Sequence, residues 1–167
     1  MTYRPSWSAA VDPREVALAT TSAESNLSAS IVTALSYSLA ANTLAAGSIL
    51  RFKGHGYVTG SPGDVIAMLV KFNGVQKAGV AMGLTLAASL RGFTFDAAIN
   101  VLSVGPTAGL NHGVEIRLGE PPAAIEIASY NSGVTIDTTV PLTVALTFQG
   151  NNSMTGKILS ASLRQER

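Results

Sequence analysis

Hydrophobic and polar residues alternate with a period of two over much of this chain, and short polar turns break the pattern at regular intervals. In Ser48 to Val58, Leu50 and Phe52 fall on one side while Arg51, Lys53, His55 and Tyr57 fall on the other, because successive side chains of a strand point to opposite faces. Phe93, Phe95, Ala97, Ile99 and Val101 alternate in the same way with Thr94, Asp96, Ala98 and Asn100 within Arg91 to Val104. Val114, Ile116 and Leu118 flank Glu115 and Arg117, and Leu142, Val144, Leu146 and Phe148 flank Thr143, Ala145, Thr147 and Gln149. Each of these runs predicts a strand with one buried face. Asp64 to Phe72 is apolar on both faces, as expected of a central strand or of one whose outer face meets a partner. Further strands are expected at Val16 to Thr21, Leu35 to Ala40, Ala123 to Tyr130 and Met154 to Leu163.

Turn chemistry separates these runs at Ser61-Pro62-Gly63-Asp64, Gly105-Pro106, Asn131-Ser132-Gly133 and Gly150-Asn151-Asn152. Asn73-Gly74, between Phe72 and Val75, predicts a two-residue hairpin. Leu39 to Leu50 is rich in Ala, a strong helix former, but Asn42-Thr43 and Gly47-Ser48 interrupt it and it joins two strands, so a loop is expected there. About eight or nine strands in one domain predict an all-β fold, an antiparallel jelly-roll β-sandwich spanning residues 15–167. Residues 1–14 show neither periodicity and are expected to form a short extended N-terminal arm.

Composition sharpens this picture. The chain has 167 residues, enough for one domain with a substantial core, and only 13% of them are charged against 47% apolar. So few ions point to a surface that is polar but neutral, or to one partly covered by other chains. A formal net charge of +1 provides no long-range field to draw in phosphates, so no nucleic-acid partner is expected. With no Cys, thiol catalysis, disulfides and Cys-based metal sites are excluded. No run approaches the ~20 apolar residues of a membrane-spanning helix, and the first 30 residues lack an apolar signal core, so no membrane partner is expected. Without such a signal, the acceptor patterns at Asn26-Leu27-Ser28 and Asn151-Asn152-Ser153 are read as chance.

Candidate chemistry is sparse. Gly54-His55-Gly56-Tyr57-Val58-Thr59-Gly60 has the wrong glycine spacing for a dinucleotide fingerprint and no helix after it to receive a phosphate, so its glycines are expected to be structural. His55 and His112 have no carboxylate or second His at ligand spacing, and Asp12, Asp64, Asp96 and Asp137 lie in separate segments, so neither a metal nor any other cofactor is expected. No Gly-x-Ser-x-Gly is present. Glu115, Glu120 and Glu126 are the candidate acids for glycoside hydrolysis, but Glu115 and Glu126 fit the outward positions of alternating strands. An enzyme is not expected. Tyr3, Arg4, Trp7 and Arg14 in the arm are residue types that dominate binding hot spots, which makes the arm the candidate partner-binding element. The residues leave open whether Trp7 docks on a neighbour or folds back over its own sandwich.

The run Tyr37-Ser38-Leu39-Ala40-Ala41-Asn42-Thr43-Leu44-Ala45-Ala46-Gly47-Ser48-Ile49-Leu50-Arg51-Phe52 resembles a strand-loop-strand pattern of tailed-bacteriophage virion structural proteins, with Ser48 in place of the Asp usual there. Gly56-Tyr57-Val58-Thr59-Gly60, the strand from Gly92 to Val101, and Thr135-Ile136-Asp137-Thr138-Thr139-Val140-Pro141-Leu142 are similar to later parts of the same pattern, so that the resemblance spans roughly residues 15–165. It implies a non-enzymatic bacteriophage virion protein, assembled in the bacterial cytoplasm and commonly a homotrimer of jelly rolls. The expected role is capsid decoration, as a cement or head-fibre protein bound to the phage major capsid protein or another virion protein. The alternative is a tail-fibre or receptor-binding domain with a host glycan as partner, for which Tyr57 and Tyr130 are the candidate stacking residues.

Overall fold

The computed structural model describes residues 15–21, 25–84, 88–119, 125–151 and 154–167. In chain order the strands are β1 (Glu15–Thr21), β2 (Ser25–Leu27), β3 (Val32–Leu39), β4 (Ile49–Gly60), β5 (Val65–Phe72), β6 (Val75–Gly83), β7 (Ala88–Val101), β8 (Ala108–Leu118), β9 (Ile125–Ile136), β10 (Leu142–Gly150) and β11 (Thr155–Glu166). They form a seven-stranded sheet in the order β1-β11-β4-β7-β8-β9, with β2 also on β11, and a four-stranded sheet in the order β3-β10-β5-β6. All pairings are antiparallel.

The expected β-sandwich is therefore present, with eleven strands among the described residues rather than eight or nine. The difference lies in elements without a strong period. β2 is only three residues long and is held by its register with Gly156 to Ile158, and β6, whose residues do not alternate cleanly, is the partner of β5 across the Asn73-Gly74 turn; β3, expected from Leu35, begins three residues earlier, at Val32. The Ala-rich stretch after β3 is a loop, as its breakers indicate. Asn42 takes a left-handed conformation (φ 60°) and donates its N–H to Thr138 O, while Leu44 is buried beneath it. At the β5–β6 hairpin, Asn73 (φ 48°) and Gly74 (φ 79°) both occupy the positive-φ region that a tight turn of matching twist requires.

The core lies between the sheets and follows the alternation residue by residue. Ile66, Met68, Val70 and Phe72 of β5 and Val144, Leu146 and Phe148 of β10 face Leu50 and Phe52 of β4, Ile99 of β7 and Ile116 of β8. β5 is an interior strand of its sheet, which accounts for its apolar inner face, and Val65, Ala67 and Leu69 on its outer face are half-buried. Gly54 and Gly56 of β4 occupy inward positions where a side chain would otherwise stand. Phe95 and Phe93 lie opposite them in register and fill the space, and both pack against Phe148 of the other sheet, with ring centroids 5.1 and 6.1 Å away. The glycine run is thus part of the core, as its spacing predicts.

Candidate functional site

The outer face of the larger sheet collects most of the charge in the described chain. Strand register sets it out in rows across β11, β4, β7, β8 and β9. One row reads Arg164, Arg51, Ala98, Gly113, Tyr130; the next reads Ser162, Lys53, Asp96, Glu115, Ala128; a third reads Ser160, His55, Thr94, Arg117, Glu126. Opposite charges stand side by side. Arg51 Nε donates to Asp96 Oδ1 at 3.2 Å and Arg51 also reaches Glu166 at 3.5 Å, Lys53 Nζ lies 3.5 Å from Asp96 Oδ2, and Arg117 pairs with Glu115. Partial burial opposes the charge on Arg51, but the carboxylates of Asp96 and Glu166 outweigh it and raise the guanidinium pKa. The network is internally neutralised, and exposed pairs of this kind contribute about 0–1 kcal/mol each to stability.

Within the row from Arg51 to Tyr130, Ala98 and Gly113 carry one carbon or none beyond the backbone, so the sheet surface dips between two long side chains. The depression has a volume of about 460 Å³ and is lined by Arg51, Lys53, Asp96, Glu115, Arg117 and Tyr130 above that small-residue floor. Tyr130 is 78% exposed, and its ring edge lies over Gly113, where an added methyl would come within 2.9 Å of Cε1. A second depression, also about 460 Å³, shares Ala98, Gly113 and Tyr130 and is lined on its far side by Asn100, Asn111 and Asn131. Tyr130 stands between the two.

The residues singled out by sequence are distributed as follows. The whole arm, with Tyr3, Arg4, Trp7 and Arg14, lies outside the described residues, as do Asp12 and Glu120. Asp64 is buried at the β4–β5 turn and accepts the Ser61 N–H at 2.7 Å; Asp137 accepts from Thr139 N and Oγ1; Asp96 belongs to the ion network. These aspartates do not meet, and among the described residues no three His, Cys, Asp or Glu gather at one point. Glu115 and Glu126 both occupy outer-face register positions, as their alternation predicts. His112 faces the sandwich interior between Leu110 and Val114, is 7% exposed, and has no partner for Nδ1 among the described residues. Burial lowers its pKa and keeps the ring neutral.

One pairing is invisible from sequence. Ser160 Oγ lies 2.8 Å from His55 Nδ1, because a bulge between Ile158 and Ser160 resets the β4–β11 register. A hydroxyl beside an imidazole is half of a nucleophilic site, but the acidic residue of that row, Glu126, is three strands away across β7, β8 and β9, roughly 14 Å at the ordinary strand spacing. Among the described residues no carboxylate is hydrogen-bonded to the His55 ring, and the pair stands as a polar contact on the outer face of the sheet.

The opposite ends of the molecule differ. At one end the loops after β3, β7 and β9 and the β5–β6 hairpin are tied together: Thr138 N donates to Gly105 O, Gly105 N to Thr138 Oγ1, Asn42 N to Thr138 O, and Thr143 N to Asn73 Oδ1. These loops carry exposed Val75, Leu102, Val104 and Val140. The chain enters β1 at this same end, since Glu15 is in register with Glu166, Glu166 with Ile49, and Ile49 with Asn100. The outer face of the smaller sheet carries few charges, with Ser36, Ala145, Thr33, Thr147, Leu69, Ala67 and Ala81 in its rows and Lys71 and Lys77 near the β5–β6 hairpin.

No family model matches the chain, and no curated protein matches it. Among solved structures it is similar to the CBM2 module of a Lactobacillus casei BL23 phage J-1 evolved Dit, with a TM-score of 0.36 and 9% identity, covering 80% of this chain and 68% of that one. It is also similar to a structure of infectious bursal disease virus, Gx strain, with a TM-score of 0.30 and 14% identity, covering 91% of this chain and 40% of the other.

Proposed function

We propose that this protein is a non-enzymatic bacteriophage virion protein that decorates the outside of the head shell as a homotrimer and stabilises it. The supporting observation is the loop end, where exposed Val75, Leu102, Val104 and Val140 sit on mutually hydrogen-bonded loops at the end where the chain enters β1. A rigid apolar patch loses little conformational entropy on docking. Fully burying an aliphatic side chain contributes roughly 1.5–3 kcal/mol, against about 4–15 kcal/mol for immobilising a partner. One copy therefore binds weakly, and three linked copies bind firmly through effective concentration. The sparsely charged outer face of the smaller sheet provides the surface through which copies associate.

The test is sedimentation of the purified chain, alone and with empty phage heads. The expected result is a trimer that co-sediments with heads. Val104→Asp with Val140→Asp leaves the trimer intact and abolishes co-sedimentation, and deletion of residues 1–14 does the same if the arm is part of the contact. Full binding by the double variant overturns the assignment of the loop end, and a monomer in solution overturns the trimer.

A further inference from the structure

The two depressions flanking Tyr130 belong to neither the core nor the loop end. Their form narrows the class of ligand they can take. The floor is apolar and low, formed by Ala98 and Gly113. An aromatic ring stands over it with 78% of its surface exposed, although an aromatic side chain gains most when covered. The charges on one rim are paired, Arg51 with Asp96 and with Glu166 beside the depression, Lys53 with Asp96 and Arg117 with Glu115, so each of these cations already has a carboxylate partner and the network of three cations and three carboxylates balances. The other rim is lined by the amides of Asn100, Asn111 and Asn131, and among the described residues nothing donates to the sheltered Oδ1 of Asn111.

A ligand that matches all of this is uncharged, has an apolar face to lie on the tyrosine, and carries hydroxyls at its edges that both donate and accept. That is the chemistry of a pyranose. A peptide spaces its N–H and C=O groups along an extended backbone and does not present a flat apolar face ringed by hydroxyls, and a nucleic acid or acidic glycan brings charge for which no unpaired cation is set aside. We infer that the Tyr130 face binds a neutral saccharide, with a sugar ring stacked on Tyr130 and its hydroxyls met by Asp96 and Glu115 on one side and Asn111 on the other. Across the strands from Arg51 to Tyr130 the face spans about 14 Å, room for a short oligosaccharide rather than a single ring. This site is separate from the loop end, and its failure leaves the decoration reading untouched.

The experiment is saturation-transfer NMR and calorimetry on the full chain with a panel of neutral di- and oligosaccharides, and with sialylated and sulfated ones alongside. The expected result is saturable binding of at least one neutral member. Tyr130→Ala weakens it by about tenfold or more, the factor given by ~1.4 kcal/mol of lost stacking, while Tyr130→Phe keeps most of it. Tyr130 is exposed on its strand, so the variants keep the fold, and unchanged circular dichroism verifies this. Absence of binding to every neutral sugar, binding confined to the charged ones, or binding indifferent to Tyr130→Ala each overturns the inference.

Discussion

Gly54→Ala is the sharpest test of how the two sheets fit together. A methyl group on Gly54 would collide with the backbone carbonyl of Ser160 on β11 and with the ring of Phe95 on β7, both inside the 3.0 Å that real Cβ contacts respect. Neither neighbour can withdraw freely. Ser160 belongs to the β4–β11 ladder, and the Phe95 ring is held by Phe148 at 5.1 Å and Phe93 at 6.4 Å. Overpacking of this kind costs about 1–3 kcal/mol, and two immobile neighbours place it at the upper end. The loss of glycine's freedom in the unfolded chain returns about 0.4–1 kcal/mol, leaving a net destabilisation of roughly 2–3 kcal/mol. Gly92 provides the control. It has ordinary backbone angles and no heavy atom within 4 Å of an added Cβ, so Gly92→Ala should raise stability by about 0.4–1 kcal/mol. Urea unfolding measures both, as midpoint shifts at constant slope. If Gly54→Ala unfolds within about 0.5 kcal/mol of the parent chain, the usual spread for surface changes, the close approach of β4 to β11 and β7 is wrong.

Two further positions probe the core. The buried His112, with its lowered pKa, must give up protons to fold, so between its folded value and the unfolded value near 6.5 the unfolded chain binds more protons; stability is full above that range and falls as pH drops through it, by at most ~1.4 kcal/mol per pH unit. His112→Leu should flatten the profile of unfolding midpoints below about pH 6.5, and an unchanged slope there would assign the acid sensitivity elsewhere. Phe148→Ala removes the ring that links the two sheets and should cost about 3–5 kcal/mol, with Phe148→Leu losing less than half as much; equal losses in denaturant titration would mean that the aromatic cluster does not bridge the sandwich.

The parts of this fold that can be read from sequence are those with a local cause. The alternation in β4, β7, β8 and β10, the Asn73-Gly74 turn and the interruption of the Ala-rich loop depend on neighbours within a few residues, and each is present as expected. β2 and the early start of β3 depend on strands far away in the chain, and local pattern does not reveal them. The candidate site is non-local throughout. Arg51, Ala98, Gly113 and Tyr130 share a row only because three antiparallel registers align, and the shift between Leu110 and Asn111, next to Gly133 at φ 85°, sets where β9 falls against β8. Tyr130 itself could be noted as a tyrosine near a polar turn. Its seat over Gly113 could not, because an outward glycine in an alternating strand has several structural causes. The Ser160–His55 contact is hidden for a similar reason, since a one-residue bulge decides which β11 side chain meets His55.

The low charge content identified at the outset has a spatial meaning. Rather than being spread thinly, most of the described ions are gathered on the outer face of one sheet, where they pair with one another, while the other sheet carries Lys71 and Lys77 and the loop end adds Asp137. A sheet exposed to water on its outer side needs polar groups there, whereas surfaces that meet protein do better without ions that must be desolvated. On this reasoning the larger sheet is the side that remains in solvent when the loop end and the smaller sheet are covered. The Tyr130 row lies only one row, roughly 7 Å along the strands, from the row of Asn100 and Asn111 that borders the loop end. A copy seated by its loops therefore presents the tyrosine close above the surface it stands on and facing sideways, where a chain-like ligand reaches it more readily than a bulky globular partner.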